Sequence, residues 1–168
     1  MEKLDIVLYP DAGLRESCAP IPEMSDELDR LIDEMLYTMY DAPGIGLAAP
    51  QVAVQQRLIV MDVSEKGDQP IVLMNPEVVQ SAGSLSWEEG CLSMPGIYAT
   101  IKRPSEILVR GMNREGKTIE FEANELLAVC IQHEIDHLDG KMFIDHLSRL
   151  KRTRAIQQFR KLMEQKES

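Results

Sequence analysis

The residues best equipped for chemistry in this chain are His133-Glu134-Ile135-Asp136-His137. Two histidines four residues apart on a helix lie one above the other on one face, so both imidazoles can reach a single metal ion. Glu134 falls beside such an ion rather than on it, where a carboxylate can trade protons with a metal-activated water. The alternative is a chance HExxH on an amphipathic helix, and the context argues against it. The chain has only three histidines and two of them are here. The preceding run LLAVCIQ is apolar, which predicts a buried helix, and buried polar groups need partners. No basic residue between Lys117 and Lys141 can neutralise Glu134 locally.

Two imidazoles are not a complete site. Catalytic zinc-type centres use three protein ligands and leave a further position to water. The metzincin pattern HExxHxxGxxH is matched as far as Gly140, but Phe143 stands where its third histidine belongs. Cys130 lies on the same stripe, one turn before His133. Residues 130 and 137 are nevertheless separated by about 10 Å along a helix axis, against ligand bonds of about 2 Å, so one helix cannot easily supply all three. The remaining candidates are Cys91, His146, Cys18 and a distant carboxylate. Cys91 is the best of these, because it comes after a glycine that permits close backbone approach, and a thiolate is a strong ligand. Cys18 reads as an ordinary buried cysteine and Cys130 as a pocket-lining one.

The elements that must position these groups can be read from pattern. Ser25 can cap a helix with Asp26 and Glu27 in its first turn, and Leu28, Leu31, Ile32, Met35, Leu36 and Met39 continue at helical spacing. Pro43 and the glycines of Gly44 to Pro50 end it in a loop. Arg57 to Val63 and Ile71 to Met74 read as strands; Asn75-Pro76 breaks the second, with a resumption over Glu77 to Gln80. Glu106 to Met112, a turn at Asn113 to Gly116, and Lys117 to Glu122 read as a hairpin. Asn124 can cap the histidine-bearing helix, from Glu125 to about Asp139, with Gly140 as its stop. Ser148 can cap a last helix running to about residue 165 or 166. Without βαβ alternation, the expected fold is α+β, with antiparallel sheets packed around the central HExxH helix and a helix toward each end.

The 168 residues suit one domain, and 44% hydrophobic with 27% charged residues excludes a disordered or fibrous chain. The longest apolar runs are too short to cross a bilayer, so no membrane role is expected. The opening MEKLDIVLYP lacks the apolar core of a signal peptide, which points to a cytoplasmic protein. Three widely spaced cysteines argue against a disulfide framework. The net charge is −10, but residues 147–168 carry seven Lys/Arg against two Glu, which leaves the rest at −15. Such a body repels free nucleic acid.

Three segments add a resemblance. Gly44-Ile-Gly-Leu-Ala-Ala-Pro-Gln51, Glu89-Gly-Cys-Leu-Ser93 and Gln132-His-Glu-Ile-Asp-His-Leu-Asp-Gly140 resemble, in order and separation, the three signature motifs of peptide deformylases. The likeness runs from the N-terminus to about residue 150. It implies hydrolytic removal of the formyl group from the formyl-methionine of nascent polypeptides, with release of formate. It implies Cys91, His133 and His137 as ligands of one divalent ion, with Fe(II) preferred and Ni, Co or Zn able to replace it. Glu134 becomes the general acid/base, and the Gln51 side-chain amide and Leu92 backbone N–H become donors to the oxyanion. Losing one such donor typically costs roughly 3 kcal/mol. Gly46 would lie near the substrate backbone. The glycines of GIGLAAPQ superficially suggest a phosphate loop, but no Lys-Ser/Thr comes after them.

Leu126 and Cys130, on or near the His133 stripe, could line an apolar slot for the methionine with Ile45, Val129 and Trp87. Core packing accounts equally well for Val129 and Trp87. Two positions depart from the family: Tyr98 stands where many members have Arg, and Trp87 replaces a more usual aliphatic. Both bear on downstream substrate contacts, not on the chemistry. The C-terminal helix, about 148–166, has Leu150, Ile156, Phe159, Leu162 and Met163 on an apolar face and its basic residues largely off it. It reads either as a solvated basic face or, as the resemblance implies, as a docking element for the ribosome. The rivals to deformylation are a zinc endopeptidase and a ribosome-associated binding protein with a structural metal.

Overall fold

A computed structural model describes residues 2–167. Met1 and Ser168, the end residues of the expected domain, lie outside the described residues. Ser25 Oγ accepts a hydrogen bond from the Leu28 N–H at 3.1 Å, and Asp26, Glu27 and Asp29 occupy the first turn of α1 (Asp26–Asp41). These groups satisfy and complement the positive helix end. Leu28, Ile32, Met35 and Met39 are buried on its inner face.

β1 (Gly46–Ala48), β2 (Leu58–Met61), β3 (Ile71–Ala82), β6 (Glu106–Met112) and β7 (Thr118–Asn124) form an antiparallel sheet in the order β1-β2-β3-β6-β7. β4 (Leu85–Gly90) and β5 (Tyr98–Arg103) form a separate antiparallel ribbon. α2 (Glu125–Leu138) carries the histidines, and α3 (Arg149–Glu167) closes the chain. β2 shows why α2 is central. All four of its residues are buried. Ile59 and Met61 share a core with Ala128, Cys130 and Ile131 of α2, whereas Leu58 and Val60 share one with Ile32, Met35 and Met39 of α1. Alternate residues of a strand face opposite ways, so a strand covered on both faces reads as continuously apolar. A third core joins Ile101 of the ribbon, Phe143 and Ile144, and Ala155 and Phe159 of α3.

The structure is α+β with antiparallel sheets, a central HExxH helix, and flanking α1 and α3, as the pattern predicts. Four local expectations are corrected. Asn75-Pro76 does not break the strand: β3 runs through as Ile71–Ala82, with a register shift between Met74 and Glu77. Proline cannot donate to a ladder, and a bulge is where that omission is tolerated. Asn75 adopts φ +50° there, and its side-chain amide pairs with both the N–H and C=O of Ile21. The Gly44 to Pro50 loop contains the short strand β1. Asn124 is the residue before α2, but its side chain makes no capping bond. Leu150 is 60% exposed rather than packed, while Ala155 and Phe159 are buried.

Both hairpin and helix stops hold. Asn113 accepts from the N–H groups of Glu115 and Lys117 at the β6–β7 turn, where Gly116 has φ +81°. Gly140 has φ +75°, and a Cβ there would lie 2.5 Å from the Arg15 carbonyl oxygen. Gly140→Ala is therefore expected to lower the unfolding free energy by about 2 kcal/mol. Urea denaturation checks this, and an unchanged midpoint would contradict it.

Candidate metal centre

His133 and His137 lie one turn apart on α2, both buried, with ring centroids 5.1 Å apart. Cys91 comes directly after the last residue of β4, and its Sγ is 3.3 Å from His137 Nε2. One ligand atom from each of Cys91, His133 and His137 lies within 4.8 Å of the others. A sulfur with two imidazole nitrogens is a donor set for a borderline divalent ion such as zinc or iron. The other candidates for third ligand are elsewhere. His146 Nε2 is bound to Asp136 at 2.8 Å, and Cys18 Sγ faces Gln55 Oε1 at 3.5 Å. Cys130 is buried with its Sγ 3.6 Å from the Ile45 carbonyl. Burial, reinforced by Glu134 and Glu89, raises its pKa well above the ordinary value, so it remains a thiol.

Burial and the neighbouring His133 push the His137 pKa well below the usual histidine value, whereas in His133 burial is outweighed by the hydrogen bonds of Cys91 and Glu89 and by the charge of Glu134, which push it well above; a bound ion requires both rings unprotonated at the ligating nitrogen. His137 Nδ1 has no hydrogen-bond partner among the described residues, and neither has Glu134 Oε1. An unpartnered buried carboxylate oxygen beside two imidazoles is costly unless something binds there. Burial, the largest influence, pushes the Glu134 pKa up to about 7. A carboxyl with that pKa can both take and give a proton near neutrality.

Gln51 is buried, and its orientation is fixed from both ends. Its Oε1 accepts from the Ala48 N–H at 2.9 Å, which turns Nε2 toward Ser93 Oγ at 3.1 Å and Cys91 Sγ at 3.6 Å. Gly46 is buried against Glu134 and Cys130; a Cβ there would collide with Glu134 Oε2. A cavity of about 520 Å³ opens beside these groups and is lined by Ile45, Gly46, Gln51, Cys91, Leu92, Leu126, Val129, Cys130, His133 and Glu134, among others. Every site residue expected from the sequence thus borders this cavity, except His137, which lies behind it within the cluster.

The residues behind the cluster were not legible in the sequence. Glu89 Oε1 bonds His133 Nδ1 at 2.9 Å, which leaves Nε2 free to ligate. Glu89 in turn receives Arg103 in a two-bond fork, at 2.6 and 2.9 Å. Arg103 also reaches Asp136 at 2.9 Å. Burial opposes the ionisation of Glu89, but the hydrogen bonds of His133 and Arg103 outweigh it and hold its pKa below the usual range. Phe143, at the vacant metzincin position, stacks on His133 with centroids 5.9 Å apart. The only signals for this shell were the acid two residues before Cys91 and an arginine at the end of the next strand.

Fold and site together give an α+β scaffold around a buried Cys-His-His cluster able to hold a metal ion, with a buried carboxylate and an open cavity beside it. Residues 3–153 match the family model described as polypeptide deformylase. The peptide deformylase of Hydrogenovibrio crunogenus is 78% identical over 163 residues, covering 97% of this chain and 96% of that one. That of Alkalilimnicola ehrlichii is 54% identical, covering 98% and 93%. Among solved structures, the Legionella pneumophila peptide deformylase superposes with a TM-score of 0.93 at 44% identity, covering 99% of this chain and 98% of that one. The Synechococcus elongatus enzyme, solved in complex with actinonin, gives 0.88 at 42% identity, covering 92% and 86%. The chain belongs to the polypeptide deformylase family, whose enzymes are metal-dependent hydrolases that remove the formyl group from the N-terminal methionine of nascent peptides.

Proposed function

We propose that this cavity is where the chain hydrolyses the formyl amide of N-formyl-methionyl peptides, with Cys91, His133 and His137 holding one divalent ion. The observation that carries the reading is Glu134 Oε1, without a hydrogen-bond partner among the described residues, on a side chain buried beside that cluster and lining the cavity. An ion bound there supplies Lewis acidity and lowers the pKa of water toward neutrality. Glu134 takes the proton from the attacking water and hands it to the departing amine. The Gln51 amide, oriented by Ala48, and the Leu92 N–H donate to the oxygen on which negative charge develops. Gly46 lets the substrate backbone approach Glu134. β1 lies at one edge of the large sheet, and among the described residues β4 pairs with β5 alone. Residues of both strands line the cavity, so an extended peptide can lie between them. Ile45, Leu126 and Cys130, with Val129, form the apolar slot for the methionine.

Fe(II) is the native ion on this reading, with Ni, Co or Zn able to substitute, since a thiolate and two imidazoles accept all four. Formate release from formyl-Met-Ala-Ser, with a blocked internal peptide left intact, is the expected result. Cleavage of the blocked peptide instead would make the chain an endopeptidase.

Residues 1–168 act as one catalytic domain, and the protein works in the cytoplasm. Among the described residues no helix is long and apolar enough to cross a membrane. α3 is proposed to dock on the ribosome. Arg149, Lys151, Arg152, Arg154, Arg160 and Lys161 are all exposed on it. Phe159 of α3 is buried edge-on to Tyr9, so deleting the helix would open the core. Charge reversal at Arg152 and Lys161 is the cleaner test. It is expected to weaken ribosome binding at least about tenfold at low salt and to spare activity on short peptides. Equal binding by the variant would contradict the docking role.

A further inference from the structure

Gln51 and Leu92 belong to separate segments. Gln51 sits in the short helical turn Ala49–Val52, and Leu92 lies in a turn closed by the Met94 N–H on the Cys91 carbonyl at 3.0 Å. Among the described residues, no main-chain bond joins these two segments directly; both are tied instead to a third, near the N-terminus. The Val7 N–H donates to the Gln51 carbonyl at 2.7 Å, and the Tyr9 N–H donates to the Ser93 carbonyl at 2.9 Å. Donors two residues apart along a chain are separated by no more than about 7 Å, so residues 7–9 limit how far Gln51 can lie from Ser93 and from Leu92 before it. The segment is itself anchored. Upstream, the Leu4 N–H donates to Thr38 Oγ1 of α1 at 2.9 Å. Val7 and Tyr9 pack against the third core, and the Tyr9 ring is edge-on to Phe159 of α3 at 6.1 Å.

The side chains repeat this tie, because Gln51 Nε2 donates to Ser93 Oγ at 3.1 Å. The second N–H of that amide, toward Cys91 Sγ at 3.6 Å, is the one available to a substrate oxygen. Donors to a developing oxyanion act over a narrow range, about 2.7–3.1 Å from the position that the oxygen takes in the transition state. Their mutual spacing therefore bears on turnover more than on substrate binding. We propose that Val7 and Tyr9 are positioning residues for the reaction: their N–H groups form a strap that holds the Gln51 amide and the Leu92 N–H at the separation the oxyanion requires. Neither residue lines the cavity, so the strap acts only through Gln51 and Leu92. The inference rests on the reading of those two groups as the oxyanion donors.

The strap can be tested without changing a side chain. Residues 1–17, made as a synthetic thioester, are ligated to residues 18–168 through the native Cys18, and the refolded full chain is loaded with metal. An ester in place of the Val7 or the Tyr9 amide replaces one N–H donor with an oxygen. Relative to the all-amide chain made in the same way, each ester is expected to lower kcat on formyl-Met-Ala-Ser at least about fivefold, with KM within about twofold and metal content unchanged. An ester at Leu8, whose N–H has no partner among the described residues, should keep the parent kcat. In a Gln51→Ala background the Val7 ester should lower kcat by less than about a further twofold, because the group it positions is already gone. Parent turnover in both esters would overturn the proposal. So would a loss carried by KM or by metal content, an equal loss in the Leu8 ester, or an undiminished Val7 effect in the Gln51→Ala background. The donor reading fails separately: Gln51→Ala with the turnover of the all-amide chain sinks it and the strap together, whereas a slow Gln51→Ala with fully active esters sinks only the strap.

Discussion

Glu134→Gln is expected to bind the metal as the parent does and to lose about a thousandfold in kcat. The carboxylate is buried, its Oε1 has no hydrogen-bond partner among the described residues, and its Oε2 faces the close backbone of Gly46. Glutamine fills nearly the same volume, so packing against Gly46 and Cys130 is kept. What is lost is the ability to take up and return a proton, a function to which a pKa of about 7 is suited. Metal content and thermal midpoint serve as controls, and steady-state formate release is the readout. A variant that keeps the parent's turnover would show that another group moves the proton.

Removing Arg103 should have the second largest effect, and on two quantities at once. Arg103 is 4% exposed and is shared between Glu89 and Asp136. Without it, the buried Glu89 carboxylate keeps only His133. Breaking a buried pair by removing one partner typically costs about 3 to 5 kcal/mol, because the other charge is left uncompensated. The damage should extend to the ion, since Glu89 fixes the ring and tautomer of His133. Loss of such an outer partner typically weakens metal binding about 10- to 100-fold. Arg103→Ala is expected to show both effects. Glu89→Gln, which can still accept from His133 Nδ1–H, is expected to lose less affinity. Denaturation together with chelator competition reads the pair. Unchanged metal affinity in Arg103→Ala would mean that His133 is positioned without this chain of contacts.

The contrast between these two residues shows what the sequence can and cannot carry. Glu134 was legible because its position relative to His133 and His137 comes from helical spacing alone. Cys91 was legible as the strongest candidate by chemistry, and decisively only through the resemblance. Glu89 and Arg103 were not. They are fourteen residues apart and meet because β4 pairs with β5, and that ribbon has no readable pattern. LSWEEG and YATIKR are short, largely polar and half-exposed, with neither the alternation nor the branched run that marks β2. β1 was hidden for a different reason: three residues inside a glycine-rich stretch become a strand only because β2 offers an edge. At Asn75-Pro76 the local rule was correct about the missing donor but wrong about the outcome, because a bulge absorbs the proline. Leu150 has the right type and spacing for the buried face of α3. It lies in the first turn, ahead of the part of the helix that reaches the core.

Hydrolysis at this site requires Cys91, His133 and His137 to meet at one ion whose remaining coordination is left to small ligands. X-ray absorption at the metal edge of protein loaded with one equivalent of zinc or cobalt tests this directly. The predicted shell is one sulfur, two imidazole nitrogens and one or two light oxygen-type scatterers, with the sulfur absent in Cys91→Ser. A second sulfur, a third imidazole, or a sulfur that persists in Cys91→Ser would contradict it.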